Sequence, residues 1–251
     1  MPKFLSGGQS HQSSFVLYAL MDKNLKELVS WMRSCANATN AAGMARYGIA
    51  SKGLLGISMP VLRAKAKEIG KNHALAVALW ETGYHEARIL APLIADPAEG
   101  NDALLEHWVA DFDSWDVCDQ ACNNYIYRCD GTPERAARWC RCESEFTRRA
   151  GFVLICSLAC HAKKMPDEDF LPYLDLIREY SQDERNFVRK AVNWALRDIA
   201  KRRVGVRPQC MELTNELIAS RDKTARWIGR DAKADISLKI AREQCKKNTQ
   251  G

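Results

Sequence analysis

A tryptophan and an aspartate lie one helical turn apart near the middle of the chain. Trp115 and Asp119 belong to a segment in which Ser114 or Asp113 can cap a helix and Asp116 suits its first turn. Residues four apart project from the same helix face. An aromatic ring beside a carboxylate can hold a flat cation through stacking, cation–π attraction and charge. On spacing alone, a simpler alternative is favoured, in which the tryptophan packs in the core and the aspartate is solvated.

A second tryptophan lies among basic residues in the last third of the chain. Trp194 falls to the side of the apolar stripe of its predicted helix, next to Lys190 and Arg197. A tryptophan among cations suits a surface that binds nucleic acid. Packing at a seam between two helices explains the same pattern equally well.

A pair of adjacent arginines is a candidate for contact with phosphate. Arg148 and Arg149 precede the apolar run Ala150–Ala159, and an arginine at such an edge can bind phosphate or extend to solvent. Arg46 stands beside Tyr47, a pair that carries no meaning by itself.

The elements that must position these residues are predicted to be helices. Apolar periodicity begins near Asp22, and Ser58 followed by Pro60 marks a helix start. Further helices are predicted over 73–82, 84–95, 101–111, 114–128, 133–141, 145–162, 166–181, 184–202, 206–220 and 223–244. No strand pair is apparent, so the fold class is all-α.

Similar helices recur along the chain. Ala150 and Ala191 occupy similar basic–small contexts and are 41 residues apart, near the HEAT and armadillo period of about 40–47 residues. This favours a HEAT-like or armadillo-type α-solenoid with a concave binding face over a compact bundle. We expect a single repeat domain over residues 22–245, a disordered extension over 1–21 and a disordered tail over 246–251.

Charge and composition narrow the function classes. The net charge is +6, and residues 201–251 carry 13 Lys and Arg against six Asp and Glu. Such a region attracts polyanions, although a solvated basic tail is an equal alternative. No uncharged apolar run approaches 18 residues, which excludes a membrane span. The ten cysteines are not spaced as in zinc sites, and the sequence shows no secretion signal. We therefore expect reduced thiols and neither a metal nor a cofactor. We also expect a cytoplasmic location, associated with the nucleoid in a bacterium.

Taken in order, these segments resemble the AlkD-type HEAT-like alkylpurine DNA glycosylases, a family of DNA alkylation repair enzymes. The resemblance covers roughly residues 24–236. Its most specific parts are Trp-Asp-x-x-Asp and Lys-Ala-x-x-Trp-x-Leu-Arg. The matching segments are Met44–Tyr47, Leu55–Ile57, Trp115–Asp119, Arg148–Ala150 and Phe187–Arg197.

The resemblance implies hydrolytic removal of positively charged N3- or N7-alkylated purines, such as 3-methyladenine and 7-methylguanine, from duplex DNA in base excision repair by a monomer. It places the catalytic aspartate on Asp119 and the lesion-facing tryptophans on Trp115 and Trp194. Contacts with the DNA backbone fall on Arg149, with Arg148 as the adjacent alternative, and Tyr47 is a supporting residue. Lys190 and Arg197 are further candidates for DNA contact.

Two other function classes remain open at this point. A non-catalytic HEAT-like protein that binds distorted or branched DNA would share the fold and the basic C-terminal region. A HEAT-type protein scaffold would need an apolar or acidic groove. The loop over residues 48–53 lacks an aromatic residue expected from the family, which leaves the preferred lesion open.

Overall fold

The computed structural model describes residues 8–49 and 53–248, and every regular element in this part of the chain is helical. The all-α prediction is therefore confirmed. The α-helices are α1 (Gly8–Ser34), α2 (Ala38–Met44), α3 (Met59–Ile69), α4 (His73–Trp80), α5 (His85–Ile94), α6 (Asp102–Ala110), α7 (Trp115–Asn124), α8 (Thr132–Cys140), α9 (Glu145–His161), α10 (Leu171–Tyr180), α11 (Asn186–Arg202), α12 (Arg207–Ala219) and α13 (Lys223–Asn248). Within the described residues, none of these helices combines the length and apolar character needed to cross a bilayer.

Three features differ from the sequence prediction. Helix α2 was not predicted because it buries none of its residues and so lacks an apolar stripe. Residues 8–21, expected to be disordered, lie in α1, and no glycine or proline separates Phe15 from the periodic segment that follows. Residues 246–248 of the expected tail continue α13. The remainder of both predictions, residues 1–7 and 249–251, lies outside the described residues.

The chain divides into two compact units between Glu99 and Gly100, and the prediction of one repeat domain over 22–245 stays a prediction. In the first unit, α4 packs on α5, α3 packs on α5 and α1 packs on α4. A fully buried carboxylate holds the segment before α3. Glu86 accepts hydrogen bonds from the backbone N–H groups of Leu55 (2.8 Å), Gly56 (2.5 Å) and Ile57 (3.2 Å). These bonds satisfy donors that burial would otherwise leave unpaired.

The second unit is built from helix pairs in which α7, α9, α11 and α13 lie side by side. From α9 onward, contacts between neighbouring helices of this row recur at a sequence separation of 38 residues, whereas α7 and α9 are joined at shorter separations of 28–34 residues. Examples of the longer separation are Arg149 with Phe187, Cys160 with Asp198, and Arg197 with Asp235. A constant separation along a helix means that the neighbours run parallel. The same separation joins α10 to α12 through Arg178 and Glu216, so the repeat length is uniform in this part of the chain.

Helix α9 is the centre of the second unit. It is buried from Arg149 to Ala159 without interruption and packs against α6, α7, α8 and α11. A helix that is surrounded on all sides needs apolar residues around its whole circumference. Gly151 lets α8 approach closely, because a Cβ at this position would lie 2.8 Å from both the carbonyl oxygen of Ala136 and Sγ of Cys140.

We therefore expect Gly151→Ala to destabilise the protein by about 1–3 kcal/mol, the usual effect of overpacking. Gly43→Ala is the matched control, since a Cβ there meets its nearest atom at 3.7 Å. Because Gly43 lies inside helix α2, Gly43→Ala should leave the stability of the protein unchanged or raise it by up to about 1 kcal/mol. Urea denaturation of both variants measures the two effects. Equal midpoints for Gly151→Ala and the unmodified protein would show that α8 and α9 do not approach closely.

Candidate functional site

Helix α7 begins at the predicted position, and its first two turns carry Trp115 and Asp119. Ser114 occupies the extended N-cap position, although its buried hydroxyl makes no capping bond. Trp115 is half-buried and Asp119 is 9% exposed. Val117 and Ala121 occupy the opposite, fully buried face. Asp119 is thus buried, not solvated as the simpler alternative required, and Trp115 is not fully enclosed in the core.

A bidentate ion pair joins Asp119 to Arg149. Arg149 Nε donates to Asp119 Oδ1 at 2.9 Å, and Nη2 donates to Oδ2 at 2.8 Å. The remaining terminal nitrogen, Nη1, donates to the carbonyl oxygen of Phe187 at 2.7 Å. Arg149 is only 6% exposed. One arginine therefore connects α7, α9 and α11, and its planar fork fixes the orientation of the Asp119 carboxylate.

Burial and pairing act in opposite senses on Asp119. Burial raises the pKa of Asp119 above its usual 3.8, while the charge of Arg149 and its hydrogen bonds act to lower it. The net direction is upward. Removing the guanidinium would leave only the effects of burial and of the nearby Asp116 carboxylate, so the pKa would rise further.

The neighbouring Arg148 points to a different set of partners. Its Nη1 donates to Asp183 Oδ2 at 2.7 Å, its Nε donates to the carbonyl oxygen of Cys142 at 2.9 Å, and its guanidinium lies 4.4 Å from the centroid of the Tyr180 ring. Arg185 binds the same Asp183 carboxylate. Burial acts to raise the pKa of Asp183, but hydrogen bonds from the two arginines prevail and hold it below the usual 3.8. Arg148 thus ties together loops at one end of α9.

Trp194 is held by a carboxylate on its own helix. Its indole Nε1–H donates to Asp198 Oδ2 at 2.8 Å, and the ring is half-buried. The other partners of Asp198 are Cys160, whose thiol donates to Oδ2 at 3.5 Å, and Lys201, whose Nζ lies 3.5 Å from Oδ1. The indole therefore has a fixed orientation with part of its surface open to solvent.

A buried thiol lies within electrostatic reach of both carboxylates. Burial raises the pKa of Cys156 on α9, and the charges of Asp198, Cys160 and Asp119 raise it further. The carboxylates of Asp119 on α7 and Asp198 on α11 therefore both lie near Cys156 on α9. The structure brings Asp119, Arg149 and the Trp194–Asp198 pair into a single layer of three parallel helices.

The remaining predicted site residues differ in how they are presented. Lys190 is exposed and, within the described part of the chain, forms no ion pair. Arg197 donates to Asp235 at 2.9 Å and to Asp231 at 3.4 Å, so α13 holds it. Tyr47 belongs to the first unit and is 71% exposed. Residues 50–52 of the loop that follows it lie outside the described residues.

Asp198 is the residue that sequence reasoning missed. The signal was present, because Trp194 and Asp198 repeat the four-residue spacing of Trp115 and Asp119. The same spacing occurs once more in α13, between Trp227 and Asp231. Three of the four parallel helices thus carry a tryptophan followed one turn later by an aspartate.

No group of three or more His, Cys, Asp or Glu side chains among the described residues is arranged to hold a metal ion. Each of the ten cysteines is a free thiol. Burial raises the pKa of Cys118, which therefore packs against α9 as a neutral group.

Comparison with known proteins agrees with this architecture. A sequence profile described as DNA alkylation repair enzyme matches residues 28–233. A solved structure, described as "A new family of proteins related to the HEAT-like repeat DNA glycosylases with affinity for branched DNA structures", superposes with a TM-score of 0.74. It is 17% identical in sequence and covers 87% of this chain and 94% of its own. No curated protein matches the sequence significantly. The fold is thus HEAT-like, as predicted.

Proposed function

The chain belongs to the DNA alkylation repair enzyme family, and from this premise we propose that it excises positively charged N3- or N7-alkylated purines from duplex DNA. The observation that carries the proposal is the Asp119 carboxylate, buried and oriented by Arg149, one turn from a half-buried tryptophan. A fixed carboxylate and an aromatic face are the groups that a developing cation requires.

The chemistry follows from the charge of the lesion. When the bond between C1′ and the purine nitrogen breaks, its electron pair neutralises the alkylated base, which leaves without a proton donor. The sugar becomes an oxocarbenium-like cation. Water then adds its oxygen to C1′ and releases one proton, which gives an abasic site and the free base. The protein must stabilise the cation and position the water.

Asp119 can perform both tasks despite its pairing with Arg149. Each carboxylate oxygen accepts one hydrogen bond from the arginine and keeps a second lone pair. Those lone pairs are available to the sugar cation or to the water. In this proposal Arg149 acts as a positioning residue for Asp119, because burial and three internal hydrogen bonds occupy its guanidinium.

The two half-buried tryptophans complete the proposed site. Trp115 lies on the same face of α7 as Asp119, and Trp194 is held by Asp198 on α11. Their π-faces would contact the cationic base and sugar. The exposed Lys190, one turn before Trp194, would contact a phosphate, and we propose a similar supporting contact for the exposed Tyr47.

A second candidate is a non-catalytic protein that binds branched DNA. It is favoured by the structural similarity to a protein family described as having affinity for branched DNA structures. Such a protein would use the basic C-terminal region, residues 201–251, and would have no need for a buried carboxylate oriented beside an aromatic ring.

Base release from methylated genomic DNA separates the two candidates. We expect the purified protein to liberate 3-methyladenine or 7-methylguanine, identified by chromatography of the ethanol-soluble products. Release of no base, together with tight binding to a four-way junction, would support the non-catalytic alternative.

Asp198 provides a test of the proposed role of Trp194. Asp198→Asn removes the charged acceptor of the indole N–H and should lower the single-turnover excision rate by up to about 10²-fold through misplacement of the ring. Trp194→Phe keeps an aromatic face but cannot donate this hydrogen bond. Adding Asp198→Asn to Trp194→Phe should therefore lower the excision rate less than Asp198→Asn does in the unmodified protein. Full activity of Asp198→Asn would mean that Trp194 needs no orientation, and additive effects of the two changes would mean that they act separately.

A further inference from the structure

A third tryptophan lies in a basic recess at the start of α13. The recess measures about 450 Å³ and is lined by Lys223, Arg226, Trp227, Arg230 and Asp231. Trp227 is 37% exposed, an unusual state for so large an apolar side chain.

The buried face of α13 does not explain the position of this ring. That face consists of the buried residues Ala225, Ile228, Ala232 and Ile236. Trp227 lies beside this stripe and contacts α11 instead, where the Arg189 guanidinium is centred 5.2 Å from its ring centroid. A cation near the ring restrains its plane, and the exposed part of the ring borders the recess, where a second flat group can stack.

The charges around Trp227 favour an anion. Asp231 accepts hydrogen bonds from Asn193 at 2.7 Å and Arg197 at 3.4 Å, which offset its charge. Lys223 lies 3.4 Å from Glu184, at the exposed edge. Among the residues that the structure describes, Arg230 forms no ion pair. A ligand that combines a flat aromatic group with negative charge matches this set, and a nucleotide has both.

The recess lies in the same helix layer as the proposed catalytic site. The contact between Arg189 and Trp227 keeps the separation of 38 residues that joins Arg149 to Phe187, and α7 is joined to α9 at a separation of 28, so Trp227 lies about one helical turn from the level of Asp119 along the helices. Three steps from α7 to α13, at about 8–10 Å each, place the two residues about 24–30 Å apart. At about 3.4 Å per nucleotide this corresponds to about 7–9 nucleotides of one strand.

We propose that Trp227 stacks on an unpaired base of a DNA strand that continues from the lesion, while Arg230 and Lys223 contact its phosphates. The inference rests on the proposed DNA-binding function and adds to it a separate site for unpaired DNA. It predicts a preference for duplexes that end in a fork or a single-stranded tail at this distance.

Fluorescence anisotropy with the full-length protein tests the inference on three DNAs. The first is a blunt undamaged duplex, and the second is the same duplex with an unpaired thymidine tail in either polarity. The third has the same tail built from abasic units, which keep the phosphates and lack the bases. We expect the thymidine tail to increase affinity at least about fivefold, the lower range for one stacked base, and the abasic tail to give a much smaller gain.

Variants of α13 then assign the effect to the ring. Trp227→Ala should abolish the gain from the thymidine tail while binding to the blunt duplex persists, and Trp227→Phe should retain most of it. Leu238→Ala is the matched control, since Leu238 is an exposed apolar residue of the same helix. An undiminished gain in Trp227→Ala, or equal gains from the thymidine and abasic tails, would overturn the inference alone. Failure of the unmodified protein to bind any of the three DNAs would overturn the proposed function as well.

Discussion

Replacing Asp119 by asparagine is expected to slow the single-turnover release of 7-methylguanine from duplex DNA by about 10²–10³-fold, the usual loss when a preorganised electrostatic group is removed. Affinity for the same duplex should change little, because the carboxylate is buried and repels rather than attracts phosphate. Release is measured by quantifying the free base, and binding by anisotropy under the same salt conditions.

The substitution also leaves Arg149 with a weaker partner, which needs its own control. Breaking a buried ion pair costs about 3–5 kcal/mol. Asp183→Asn is the matched control, since that carboxylate is also buried and binds two arginines, away from the proposed site. It should lower stability comparably without slowing release by the folded protein. Unchanged release in Asp119→Asn would remove Asp119 from the mechanism.

Replacing Arg149 by glutamine is expected to shift the pH dependence of excision. Asp119 must be ionised to stabilise a cation, so activity falls as the pH drops through its pKa. Burial raises this pKa and Arg149 lowers it. Loss of the guanidinium therefore moves the acidic midpoint of the single-turnover rate to a higher pH. Arg149→Lys keeps the charge without the bidentate geometry and should lie between the two.

Arg148→Gln is the matched control for this shift. It removes the adjacent arginine of the same helix, which is paired with Asp183 and not with Asp119. Both glutamine variants should lose stability, but only Arg149→Gln should move the midpoint. The same midpoint in Arg149→Gln and the unmodified protein, measured at temperatures where both are folded, would show that Arg149 does not set the ionisation of Asp119.

Helical periodicity was sufficient to predict most of the fold. Segments such as α9 and α11 combine apolar periodicity with clear breaks at both ends, which local sequence reports well. Helix α2 was not predicted because none of its residues is buried, and α1 begins earlier in the chain than the periodic pattern does. The spacing of 41 residues between Ala150 and Ala191 predicted a repeat, but the exact separation of 38 residues could not be predicted, because it depends on contacts between side chains on different helices.

The candidate site could be predicted only in part, because contacts between side chains on different helices are not encoded in local sequence. Trp115, Asp119 and Trp194 could be selected from spacing and family resemblance, and their catalytic roles stay predictions. The ion pair between Arg149 and Asp119 could not be predicted from local sequence, since 30 residues separate the two. The same holds for the ion pair between Arg148 and Asp183. Asp198 could have been found, because it lies at the same spacing from Trp194 as Asp119 from Trp115.

The proposed enzyme excises bases because they carry a positive charge. Its most direct test compares two oligonucleotide duplexes of identical sequence, one with a single 7-methylguanine and one with hypoxanthine, a neutral damaged purine, at the same position. We predict single-turnover release of 7-methylguanine and no detectable release of hypoxanthine. Release of neither base by protein that binds both duplexes, or release of both at similar rates, would contradict the account.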